Sequence, residues 1–269
     1  TGTLLHFTLP MLVGSFLQQC YNIADTLIVG QCIGAGALAA VGSAYTLMVF
    51  LISVLLGLAM GSGTVFSLHY GAGNHVALRR SIFSSFALIG IVTLILNVVV
   101  FIWLDPILRL LQVPQDIYGM MRSYLWIIFC GIVFTFIYNF YASLLRAVGD
   151  SVTPLWFLAV SVVLNIALDL FFILQLDWGI QGAAAATVLA QGVAALGIII
   201  YTYRRRPELR WHHEDMCFDR TCLKEIASFS TLTCVQQSVM NLGILMVQGL
   251  VNSFGTCLLY TSPSPRDTR

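Results

Sequence analysis

Seven apolar runs follow one another along the chain, and each is close to the roughly 20 residues that cross a bilayer as a helix. They cover Leu4–Val29, Leu47–Leu68, Ile82–Leu104, Tyr124–Leu144, Pro154–Leu174, Ala183–Tyr203 and Ile226–Val251. Backbone polar groups in hydrocarbon must be satisfied within the segment, so runs of this kind form helices. Composition agrees, with 58% hydrophobic and only 9% charged residues, where a soluble domain carries about 25% charged. The fold class is therefore an all-α polytopic membrane protein, with membrane lipids as its surroundings. A formal net charge of +1 points to no nucleic-acid partner.

The placement of charge says more than its sum. The loops after the second, fourth and sixth runs hold Arg79, Arg80, Arg146, Arg204, Arg205, Arg206, Arg210, Arg220 and Lys224. Those after the third and fifth hold only Arg109 and Arg122. Basic loops stay in the cytoplasm, which predicts a cytoplasmic N-terminus.

Small residues recur where helices would approach closely: Gly30-x-x-x-Gly34, Gly57-x-x-x-Gly61 and the run Gly182–Ala186. Ordinary helix packing accounts for them, and they carry no information about substrate. Seven cysteines, scattered and odd in number, predict no disulfide framework. Thr1 leads almost directly into the first run without an initiator Met or a cleavable signal, so a longer N-terminus is expected. At the other end, residues 257–269 change character abruptly, and the expectation is a tail that is not native.

Ten of the twelve acidic residues fall in loops, at run ends or in the tail; Asp25 and Asp169 do not. Neither has a Lys or Arg in its own run. An ionisable group at that depth costs about 3 kcal/mol on insertion scales and by default marks an ion or substrate pathway. Desolvation disfavours the charged carboxylate, which suits a group that takes up and releases a proton near neutral pH. Ionised, it offers hard oxygen ligands to a small cation. Asn165 lies four residues before Asp169 and Tyr21 four before Asp25, so each pair shares a helix face. Asn139 lies deep in the fourth run, and Thr187 and Gln191 share a face of the sixth. Pro10 removes a hydrogen bond inside the first run and predicts a bend there.

These residues, with several short motifs, resemble the multidrug and toxic compound extrusion (MATE) transporters, and within them the bacterial DinF/MepA-like branch. The resemblance is carried by Pro10 and Tyr-Asn-Ile-Ala-Asp-Thr-Leu-Ile-Val-Gly at 21–30. Gly57-Leu58-Ala59-Met60-Gly61 and Gly71-Ala72-Gly73-Asn74 follow. Leu145-Arg146-Ala147-Val148-Gly149-Asp150, Asn165-x-x-x-Asp169 and Gly182–Thr187 complete it. In order and spacing they cover residues 4–256.

The resemblance implies a fold of two six-helix lobes around a central cavity and a cation-driven export cycle with H⁺ or Na⁺ as the coupling ion and no cofactor. It implies a cation site at Tyr21, Asp25, Asn165, Asp169 and Thr187, with Asn139 aligned less firmly, and a functional bend at Pro10. Na⁺ would sit at Asp25, Asn165 and Asp169. The implied domains are a six-helix lobe at 1–203, a cytoplasmic inter-lobe loop at 204–224, and the first helix of the second lobe at 225–256; the missing second lobe is the expected partner. Gln236, Gln237 and Asn241 make the seventh run polar enough to face a substrate cavity. His212, His213, Cys217 and Cys222 have metal-donor chemistry but not zinc-finger spacing, so a solvated basic linker is the better reading.

The functional expectation is an antiporter, not an enzyme, that exports bulky, often cationic organic compounds by alternating access, present here as an inactive fragment. A lipid-linked oligosaccharide flippase of the same superfamily would favour basic residues within the runs, and none is there. A seven-helix receptor fits the count but not the cytoplasmic N-terminus or the two buried acids.

Overall fold

The computed structural model describes residues 2–110, 113–210 and 220–261. Its helices are α1 (Gly2–Cys32), α2 (Ala35–Gly71), α3 (His75–Leu110), α4 (Gln115–Cys130), α5 (Ile132–Ala147), α6 (Val152–Leu170), α7 (Gly179–Arg205) and α8 (Arg220–Thr261). A π-helical turn, Phe171–Gln175, extends α6, and a 3₁₀ turn, Pro207–Leu209, follows α7. There are no strands among the described residues.

Among the described residues, four helices are long and apolar enough to cross a membrane, or five when α4 and α5 count as one bent span. Seven such spans were expected. Polar side chains explain part of the difference: α1 carries Gln18, Gln19, Asn22 and Asp25, and α8 carries Gln236, Gln237 and Asn241. The fourth run is not one rod. It breaks at Gly131, where α4 and α5 meet at 47°.

Several ends lie beyond the apolar runs. α2 starts at Ala35 because Ala37, Ala40 and Ala44 are strong helix formers that bury against the core. At 37 residues it is about 55 Å long by helical rise, well over a bilayer core. α3 starts at His75 behind Asn74, whose Oδ1 accepts the Ala77 N–H at 3.1 Å as an N-cap does. The linker after α7 is not wholly solvated, since Leu209 and Cys222 are buried. Residues 211–219, which hold most of the possible metal donors, lie outside the described residues, as does the tail from 262. α8 continues past Val251 to Thr261.

α2 is the hub, packing against α3, α4, α5 and α8. An aromatic cluster fills the space beside it, with Phe66, Phe86 and Phe136 all around Phe140 at centroid separations of 5.9, 5.2 and 6.0 Å. Outward, α3 shows Leu94, Ile95, Val98, Ile102 and Trp103, and α6 shows Trp156, Val160 and Val163. Such continuous apolar surface suits lipid rather than water.

The small-residue motifs separate into two kinds. Gly57 and Gly61 face α8 so closely that an added Cβ would lie 2.7 Å from Cys234 Cα and 2.6 Å from the Ser230 backbone nitrogen. Ser230 Oγ donates to Leu58 O at 3.3 Å across the same seam. Gly30-x-x-x-Gly34, by contrast, makes no such close approach: the atoms nearest an added Cβ at Gly30 belong to Leu38 of the adjoining helix, at 3.4 Å and beyond, and Gly34 turns the chain at φ 115° with open space where a Cβ would stand.

Candidate functional site

α6 packs on both α1 and α7, so polar groups facing inward from the three meet. Asn165 and Asp169, one turn apart on α6, are 1% and 0% exposed. Directly after Asp169 the helix widens into the π turn at Phe171–Gln175; interruptions of this kind recur at functional sites. Phe172 stacks on Trp178 at 5.1 Å, and Gly182 lets α7 come within 3.0 Å of the Phe172 Cβ, measured from where its own Cβ would stand.

Into this corner α1 delivers Asp25 and Tyr21. The Asp25 and Asp169 carboxyl groups lie within hydrogen-bonding reach of each other, an arrangement that one shared proton satisfies. Thr187 of α7 joins the rest: its Oγ1 lies 3.3 Å from Tyr21 Oη and 3.3 Å from the Asn165 amide. With the Asn165 amide turned over, its nitrogen donates to Asp169 Oδ2 at 3.0 Å and its oxygen accepts the Thr187 backbone N–H at 3.3 Å. That orientation pairs each amide atom with a complementary group, so it is the better one. Asp25 Oδ1 and Asp169 Oδ1 are buried without a hydrogen-bond partner.

Two acceptor oxygens left over, beside a hydroxyl, a phenol and an amide, form a donor set of hard oxygens. It fits a proton between carboxyls or a small cation such as Na⁺. Among the described residues no three His, Cys, Asp or Glu side chains cluster.

Asp25 borders a cavity of about 590 Å³. Tyr21, Asp25, Asn139, Thr187, Gln237 and Asn241 line it; Asn165 and Asp169 stand behind that wall. Asn139 is on the cavity, but its amide donates to Thr135 O of its own helix at 2.8 Å, and no described bond joins it to the carboxyls. Gln236, expected on the cavity, is exposed and off its wall; one residue along a helix is a turn of about 100°, which separates it from Gln237. Pro10 lies inside α1, far along the helix from Asp25, and α1 runs as a single helix through it.

Some lining residues were not foreseen. Gln18 stands four residues before Asn22 on α1, and Thr135 four before Asn139 on α5, a spacing that could have flagged Gln18 and Thr135. Tyr124 and Gly131 gave no such signal, since each reads as part of an apolar run. Among the described lining residues there is no Lys or Arg.

Comparison with known proteins gives a consistent picture. The MatE family model matches residues 10–171. The chain is 31% identical over 259 residues to the probable multidrug resistance protein YpnP of Bacillus subtilis (strain 168), covering 94% of this chain and 56% of that protein. It is 31% identical over 210 residues to the multidrug export protein MepA of Staphylococcus saprophyticus, covering 75% of this chain and 45% of that one. A solved outward-facing multidrug resistance MATE family transporter of the MOP superfamily superposes with a TM-score of 0.84 over 90% of this chain and 54% of that chain; at 24% identity the likeness is one of fold. The chain thus spans about half the length of the curated relatives it matches.

Proposed function

The chain belongs to the MatE family, and from that premise we propose that it is the cation-coupling half of an antiporter that exports bulky, often cationic organic compounds. The observation that carries the reading is the meeting of Asp25 and Asp169 beside Tyr21, Asn165 and Thr187 at the edge of a large cavity. Two carboxyls that share a proton are unstable as a doubly charged pair. A proton or Na⁺ relieves them, and its departure restores the repulsion. Binding energy that changes between two states is what drives a conformational equilibrium.

In the proposed cycle the outward-facing site takes up H⁺ or Na⁺, α1 adjusts near Pro10, and the organic substrate leaves. The inward-facing site releases the ion to the cytoplasm and accepts substrate. Asp169 with Asn165 forms the core of the ion site, and Asp25 is its proton-responsive partner. Gln237 and Asn241 contact substrate. The acid pair and the absence of Lys and Arg among the described lining residues favour a cationic substrate over a phosphate-bearing lipid. The N-terminus is cytoplasmic, in a bacterial inner membrane; residues 1–203 form the first lobe, and α8 begins the second.

The test is ethidium efflux by the full-length gene product in cells, with and without Na⁺ at fixed pH. Asp169→Asn is expected to abolish ion-driven efflux at unchanged expression. Undiminished efflux would overturn the assignment.

A further inference from the structure

We propose that Gly131 is a positioning residue for the ion site: its missing side chain seats Val188, and so holds the adjacent Thr187 against Tyr21 and Asn165. The inference rests on the reading of Tyr21, Asp25, Asn165, Asp169 and Thr187 as an ion site, and adds a residue that touches none of the acids.

Backbone conformation does not explain a glycine here. Gly131 has φ −88° and ψ −4°, which any residue adopts. Its N–H is shared between Ile128 O at 2.9 Å and Ile127 O at 3.3 Å, and its carbonyl accepts Phe134 N–H at 2.9 Å. The chain therefore stays hydrogen-bonded through the 47° bend between α4 and α5. Space is the explanation. A Cβ at Gly131 would stand 2.7 Å from Val188 Cγ1 and 3.0 Å from Val188 Cβ. Valine is stiff about χ1, and a close Cβ cannot be relieved by rotation. Only a shift of α7 or a change in the bend would make room.

Thr187 immediately precedes Val188 on α7, and its contacts are already at their limit. Both hydroxyl contacts are 3.3 Å, to Tyr21 and to Asn165, and its N–H to the turned Asn165 amide is also 3.3 Å. A few tenths of an ångström of movement would take them past useful hydrogen-bond distance. Gly131 and Val188 also line the cavity. The bend in the cavity wall and the ion site therefore meet through one van der Waals contact.

The experiment uses the full-length protein in detergent. It reads thermal stability against Na⁺ at fixed pH, and against pH without Na⁺, for wild type, Gly131→Ala, Gly131→Ala/Val188→Ala and Asp169→Asn. Gly131→Ala should shift the ion midpoint to weaker binding by roughly two- to thirtyfold, the range for packing coupled to a site without ligand contact. Removing the Val188 methyls should restore it. A merely structural role lowers stability equally at every ion concentration and leaves the midpoint alone. An unmoved midpoint, or no recovery in the double variant, would overturn the proposal while Asp169→Asn still loses its ion response. A flat wild-type response, or a wild-type midpoint in Asp169→Asn, would instead overturn the ion-site reading and this proposal with it.

Discussion

Asp25 of α1 and Asp169 of α6 bring their carboxyl groups within hydrogen-bonding reach, and each keeps one buried oxygen without a partner. The pair is complete only with a proton or cation. Asp25→Asn should therefore leave a site that still holds an ion at Asp169 but no longer a shared proton. Under the antiport reading, the pH dependence of ethidium efflux should flatten, with a drop of about tenfold or more in ion-driven rate, equivalent to about 1.4 kcal/mol. Efflux measured across a pH series with the full-length protein checks it; an unchanged pH profile would remove Asp25 from the site.

Thr187 is the junction of Tyr21 and Asn165. Thr187→Val keeps the shape and removes the hydroxyl, whereas Thr187→Ser keeps it. Loss of one or two hydrogen bonds at about 1 kcal/mol each predicts a roughly five- to thirtyfold weaker apparent ion affinity for the valine variant. The serine variant should stay near wild type. Ion titration of efflux distinguishes them.

Asn139 donates to Thr135 of its own helix and lines the cavity. Asn139→Ala should leave the ion midpoint unchanged and alter the relative resistance to different organic cations. A shifted ion midpoint would return Asn139 to the ion site.

The α2–α8 seam depends on Gly61. A Cβ there would meet Ser230 nitrogen at 2.6 Å and Phe229 carbonyl carbon at 2.9 Å, both backbone atoms that cannot rotate away. Gly61→Ala should destabilise by about 1–3 kcal/mol, as overpacking does. Gly119→Ala in α4, with open space around it, should be neutral or stabilising by roughly 0.5–1 kcal/mol. Thermal unfolding of the two variants in the same detergent tests the contrast.

Asp150 ties the α5–α6 turn to α7. Its Oδ1 accepts Thr153 N–H at 3.0 Å, its Oδ2 accepts Thr153 Oγ1–H at 2.8 Å, and Arg206 stands 3.7 Å away. Asp150→Ala should destabilise by about 1–3 kcal/mol. Asp150→Asn retains an oxygen for the Thr153 N–H and weakens mainly the partly exposed ion pair, at about 0–1 kcal/mol. Equal losses in thermal unfolding would show that the charge, not the cap, matters.

Much of this was legible along the chain. The apolar runs, the two acids without a basic neighbour, and the pairing of Asn165 with Asp169 all follow from helical periodicity within one segment. Motif resemblance went further and implied that Asp25 and Asp169 converge, which spacing within either helix could not.

What the amino-acid sequence determined by itself is the class of molecule: a helical membrane protein of the MatE family with acids where acids are expensive. Tertiary structure decided which way each helix faces. It turned Gln237 to the cavity and Gln236 away from it, set Gly57 and Gly61 against α8, and broke a single apolar run at Gly131 to admit Val188. The physical reason is that lipid-facing and core-facing surfaces of a membrane helix are equally apolar, so hydrophobicity cannot orient it. Rotation about each axis is set by close contacts between segments far apart in sequence. Those contacts bring Asp25 to Asp169.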